Sequence, residues 1–300
     1  MSVKWERSLG MTLLAGALMI GAAVVARAQG MPANGQTPAA SAPGQTPAPA
    51  GQAPADASKG NSMALDVAPP VNAEEDAAFK AFQDTANSDT NKKIELGEAF
   101  AQKYPASRYL PLVYSNLTML YLNTNQVQKM EEVGDKEVKL TPTDVQTMAI
   151  LGQTIPRAIG NATSNADAVK ELAKAEDYSK RAIEVTPTIS KPANISDEQF
   201  ASAKNVTLAM AHSGLGLIYL KRGKVSDAIP ELDQSVKLDP TPDPVNYYLL
   251  GLANEKASHF ADATDAFTKC ALIQSSMQQT CKNGAEEAKK LGNTQLSVPK

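Results

Sequence analysis

The 300-residue chain has two histidines, two cysteines and one tryptophan, and aromatic residues make up only 5% of it. So few imidazoles and thiols leave little from which to assemble a nucleophilic or metal site. No HExxH, GxSxG, phosphate loop ending in GK[ST] or paired CxxC occurs. His212, His259, Cys270 and Cys281 match no familiar ligand spacing, so no metal, no cofactor and no catalytic residue is expected. In "HSGLG" a serine follows His212, but on a helix the two side chains project outward in different directions. The formal net charge of −3 supplies no basic stripe, which argues against nucleic acid as a ligand. After residue 28 no apolar run is long enough to cross a bilayer, and from residue 72 onward no stretch alternates convincingly as a strand would.

What the chain does have begins with an export pattern. Lys4 and Arg7 precede an uncharged run from Leu9 to Ala26, and "ARA" at 26–28 places small residues where a signal peptidase inspects them. Cleavage after Ala28 is the expectation; the alternative is an uncleaved anchor, since eighteen residues at ~1.5 Å each nearly span a bilayer core of ~30 Å. A lipid anchor at this end would need a cysteine at the cleavage point, and the first cysteine is Cys270. Loss of residues 1–28 removes Lys4, Arg7, Arg27 and Glu6 and leaves 26 basic against 31 acidic side chains. Residues 29–71 repeat GQTPA, GQTPA and GQAPA with almost no large apolar side chain. Such a segment cannot bury enough surface to offset its ordering entropy, so it reads as a disordered linker or tether.

From Asn72 to Leu291 apolar residues recur at helical spacing. Asn72 with Glu75, Thr143 with Gln146, Ser196 with Gln199 and Ser276 with Gln279 have capping-box spacing, and Asp243 before Pro244 is a further cap. Pro105, Pro142, Pro187 and Pro240 each follow an amphipathic run that they cannot continue. With Ser226 as N-cap, Pro230 stands four residues in and removes only the first intrahelical bond; Pro111 has the same relation to Ser107.

The pattern repeats. Leu215, Gly216, Ala228, Leu232 and Ser235 return thirty-five residues later as Leu250, Gly251, Ala263, Phe267 and Cys270, while Leu117 and Leu151 stand thirty-four apart. This resembles the tetratricopeptide repeat, a helix–turn–helix unit of about 34 residues. The resemblance implies an all-α solenoid of antiparallel helix pairs over 72–291. It comprises about three to five units, some degenerate, with a C-terminal capping helix that Asn283-Gly284 interrupts and a disordered tail at 292–300. In that pattern Gly216 and Gly251 allow close helix contact, and Gly223 ends its helix. The unit closing at Pro187 carries about eleven extra residues, expected as a loop within "AIGNATSNADA", and residues 188–205 lengthen the helix that follows.

Cys270 and Cys281 lie five residues either side of a turn at Ser275–Ser276, well placed for a disulfide in an exported protein; two small buried thiols are the alternative. The N-x-S/T triplets at Asn116, Asn161, Asn194 and Asn205 read as accidental.

Members of the family resembled take up extended peptides or a partner's helix in a groove lined by the first helix of each pair. Mapped by the repeat, the groove positions are Met119, Arg157, Leu217, Lys221, Tyr248, Leu252 and Lys256. The family's lysine–asparagine clamp for a terminal carboxylate is missing, because Ser213, Leu217, Tyr248 and Leu252 stand at its positions. The expectation is a non-catalytic scaffold of the periplasm or cell envelope, binding a protein or peptide and touching no membrane once the signal is cleaved. The alternatives are a structural subunit of an envelope assembly machine, such as outer-membrane or pilus assembly, and a hydrolase with a site in 156–205.

Overall fold

A computed structural model describes residues 72–160 and 163–297, without the side chains of 296 and 297. The expected signal, its cleavage site and the Pro/Ala/Gly/Gln-rich linker lie outside the described residues, as does Asn161. Among the described residues there are eleven α-helices and no strand: α1 (Ala73–Asp84), α2 (Thr90–Lys103), α3 (Leu110–Asn123), α4 (Val127–Leu140), α5 (Val145–Ala158), α6 (Asn165–Val185), α7 (Asp197–Lys221), α8 (Val225–Leu238), α9 (Pro244–Lys256), α10 (Phe260–Leu272) and α11 (Gln278–Ser297). Each helix packs chiefly on its neighbours in sequence, with a further close contact between α5 and α7. The result is a stack of antiparallel helix pairs, as the repeat implies.

The helix ends follow from local chemistry. Asn72 accepts from the backbone N–H of Glu74 and Glu75, Ser196 and Gln199 complete a capping box, and Asp243 accepts from Val245 N with Pro244 as the first helical residue. The cap of α5 is Asp144, one residue after the expected Thr143, and α11 starts at Gln278. Three helix pairs share one turn. Asn125, Gly223 and Ser258 adopt φ of 56°, 73° and 62°, and the next residue's N–H returns to Tyr121, Tyr219 and Asn254. That 6→1 bond is the Schellman closure of a helix C-terminus, here reached by glycine in one turn only.

Several expectations need correction. The N-caps of α8 and α3 are Lys224 and Tyr109, so Pro230 lies in the interior of α8 and Pro111 in the first turn of α3. Pro230 and Ser226 are exposed, so water can serve the Ser226 carbonyl that proline leaves without an N–H donor. The surplus of the unit closing at Pro187 is mostly helix: α6 has 21 residues where α4, α8 and α10 have 14, 14 and 13. Residues 188–205 do lengthen α7, which has 25 residues. The last helix is not interrupted at Asn283-Gly284 and continues to Ser297, past the expected end at 291. Gly284 is accommodated because its α-carbon lies against Phe267, where a Cβ would come within 3.0 Å of the ring.

The core runs through the stack in three clusters. The largest joins α1 to α7 around Phe82, Leu117, Tyr121, Met130, Met148 and Leu151. The second gathers Ala228, Leu232, Leu249, Leu250, Ala253 and Ala266. A small third cluster of Ala263, Phe267 and Ala288 seats α11. Cys270 and Cys281, both fully buried, form a disulfide between α10 and α11 with Cα atoms 5.7 Å apart.

Candidate functional site

The predicted groove residues fall on the first helices of successive pairs: Met119 on α3, Arg157 on α5, Leu217 and Lys221 on α7, and Tyr248, Leu252 and Lys256 on α9. Ser213, Leu217 and Lys221 stand thirty-five residues before Tyr248, Leu252 and Lys256, so two helices present corresponding rows with a spacing of four along each. Lys221 and Lys256 are exposed, whereas Leu217, Tyr248 and Leu252 are half-buried. Burial alone does not make these rows a single surface. Leu217 packs on the second cluster, while Tyr248 and Leu252 pack on the third, with the Tyr248 ring centroid 5.7 Å from that of Phe267. Met119 packs on the first core, its sulfur 4.0 Å from Gln146 Nε2 of α5.

Arg157 is the most constrained of the set. Its guanidinium donates to Asp243 Oδ2 at 3.0 Å, Asn246 Oδ1 at 3.0 Å and Ser213 Oγ at 3.2 Å. Ser213 Oγ donates to Asn246 Oδ1 at 2.6 Å, and Asn246 Nδ2 donates to Ser235 Oγ at 3.1 Å. Ser213, Asn246 and Ser235 are buried, so each hydroxyl and amide needs the partner it has. Ser213 therefore does not face outward beside His212, as the helical reading of "HSGLG" expected. His212 pairs instead with Glu231 of α8, Nδ1 to Oε2 at 2.6 Å. Lys221, although exposed as a whole side chain, donates to the Ile159 carbonyl at 2.9 Å, just beyond the end of α5, and desolvation of its ammonium there lowers its pKa. Burial also raises the pKa of the Tyr248 hydroxyl.

Beneath this network, α5 and α7 touch backbone to backbone. A Cβ on Gly214 would lie 2.4 Å from the Gly152 carbonyl oxygen, and one on Gly152 would lie 2.2 Å from Ser179 Oγ of α6. The buried Pro156 within α5 removes the N–H that would otherwise hold that carbonyl. Neither the Gly152–Gly214 approach nor the role of Asn246 was legible beforehand, because both depend on how non-adjacent helices cross. Asp243 was legible as a cap; only its second oxygen serves Arg157.

A cleft of about 280 Å³ lies elsewhere, between α2 and α4, with Tyr114, Leu117 and Tyr121 of α3 among its lining residues. None of the predicted groove residues lines it. The described part of 156–205 includes the end of α5, α6, a 3-10 turn at Thr186–Thr188 and the start of α7. No described helix is long and apolar enough to cross a membrane.

No protein-family model and no curated protein matches the chain. Solved structures are similar to it at low identity. A thermophilic tetratricopeptide-repeat protein of Thermus thermophilus is 18% identical with a TM-score of 0.43, over 72% of this chain and 99% of its own. A double mutant of MamA (RS-1) is 15% identical with a TM-score of 0.46, over 76% and 99%. PilW, described as a widely conserved type IV pilus biogenesis factor, is 13% identical with a TM-score of 0.45, over 77% and 97%. At these values no residue and no partner is transferred from them.

Proposed function

We propose that the chain is a non-catalytic, exported scaffold of the periplasm or cell envelope, and that a protein or peptide partner docks on the first helices of its later pairs. The observation that carries this reading is the correspondence of the α7 and α9 rows. Leu217–Lys221 and Leu252–Lys256 repeat the same apolar-then-cationic pair at the same register, with both lysines exposed. An apolar contact next to an ammonium suits an extended segment that alternates an apolar side chain with a carboxylate or a backbone carbonyl. Export rests on the N-terminal pattern, and the Cys270–Cys281 bridge is compatible with an oxidising compartment. In vivo photo-crosslinking from position 256, with the captured protein identified, tests the docking face. A defined partner crosslinked from 256 but not from Lys80, exposed on α1, supports it. Equal labelling from both positions would refute a localised site. Fractionation tests the location independently: a mature chain beginning at Gln29 outside the cytoplasm is expected.

A further inference from the structure

We propose that the Arg157 bridge is a latch that sets the spread between α5 and α9, so that the first-helix face has a closed and an open form. Direct packing runs mainly between successive helices, and α5 and α9 share little beyond this bridge. Arg157 nevertheless reaches residues 86 and 89 positions further along the chain, crossing α7 on the way. The bridge is reversible in a way that a core contact is not. Arg157 keeps 20% of its side chain exposed and Asp243 27%, so parting them opens a path to water and not an apolar cavity. The groups uncovered, Ser213 and Asn246, are polar and would be hydrated. Arg157 Nε is buried without a hydrogen-bond partner in the closed form, a deficit that opening relieves. Beneath the latch, α5 and α7 are held backbone to backbone at the Gly152–Gly214 crossing with Ser179 of α6 against both, so the freedom to part lies between α7 and α9, which share little direct packing.

In the closed form Arg157 lies over Ser213, the position that heads the Leu217–Lys221 row. Opening would uncover that position and separate the α9 row from it. This consequence for docking rests on the function proposed above; the two forms themselves do not.

Asp243 permits a clean test because its two oxygens act separately. Oδ1 caps α9 through Val245 N at 2.9 Å, and Oδ2 meets Arg157. Asp243→Asn keeps a capping oxygen and turns an amide NH₂, a donor, toward the guanidinium. Arg157→Gln removes the cation. Spin labels at Ala158→Cys on α5 and Lys256→Cys on α9, in the mature chain with its native bridge intact, report the spread by pulsed dipolar spectroscopy. The expected result is a mean distance longer in both variants than in the latched protein, with helical content unchanged. An unchanged distance distribution in a folded variant overturns the latch. Loss of helical content in both variants also overturns it, since the bridge would then be a requirement of the fold. No partner is present in this measurement, so its failure leaves the docking face untouched, and a failed crosslink leaves the latch untouched.

Discussion

Gly216 and Gly251 each face a large side chain of the next helix: an added Cβ would lie 2.5 Å from Leu232 Cγ and 2.6 Å from the Phe267 ring. Gly214 is more restrictive, because its obstacle is the Gly152 carbonyl oxygen at 2.4 Å, a backbone atom that cannot rotate away. Gly214→Ala should therefore destabilise by on the order of 1–3 kcal/mol. Gly160→Ala, with nothing within 4 Å of the new methyl, should be neutral or slightly stabilising. Thermal melts of the two variants decide it, and equal melting temperatures would mean that α5 and α7 do not meet as described. Glu137 makes a different residue-scale statement. Its carboxyl is buried in α4, Oε2 has no hydrogen-bond partner, and burial, followed by the nearby Asp144 charge, pushes its pKa up to about 8. The folded protein thus holds a proton that the unfolded chain releases near its ordinary carboxylate pKa. Stability is highest below that pKa, falls as pH rises toward 8 and levels off beyond. The difference is on the order of 3 kcal/mol at pH 7. Glu137→Gln should remove this slope and melt higher than the parent at pH 7; denaturant unfolding between pH 5 and 8 would show it, and an unchanged slope would remove Glu137 as its source.

Helices were legible wherever a boundary is written in local chemistry. Asn72, Ser196, Asp243 and the stop prolines mark ends that the fold respects to within one or two residues. What escaped is set by packing. The extra residues near Gly160 extend α6 because Leu172 and Ala175 bury against their neighbours, with Lys174 bonded to Glu131 and Asp135 of α4 at 2.6 Å each. Asn283-Gly284 does not break α11 because Phe267 fills the space beside Gly284. That helix also grips the stack through small side chains. Among its described side chains the buried ones are Cys281 and Ala288, while Ala285 packs on the Phe267 cluster and Gly284 lies against the Phe267 ring. Small side chains contribute little transfer free energy, so the Cys270–Cys281 bridge carries much of the attachment. Replacing both cysteines by serine should cost on the order of 2–3 kcal/mol. The loss should be local, with amide exchange accelerating in α11 before α7 or α8. Uniform acceleration along the chain would show that α11 does not open by itself.

At the scale of the whole molecule, the proposed docking face is a register in the sequence and not a surface. Helical spacing placed Tyr248, Leu252 and Lys256 on one side of α9, but only the fold shows that the first two lean on the cluster that seats α11 while Lys256 projects outward. Arg157, counted with them, is committed to α7 and α9. Packing and docking therefore divide along a single row, and substitutions can separate them. Lys256→Ala removes an exposed cation, so its effect on stability should stay within about 0.5 kcal/mol. Tyr248→Ala removes a half-buried ring from Phe267 and should cost on the order of 1–3 kcal/mol. If the rows on α7 and α9 receive the partner, Lys256→Ala melts with the parent yet captures less of the crosslinked protein, and adding Lys221→Ala deepens that loss. Tyr248→Ala lowers melting temperature and capture together. Capture at the parental level by a folded Lys221→Ala, Lys256→Ala variant would exclude the lysine rows as the docking face, leaving the cleft between α2 and α4 as the next place to probe.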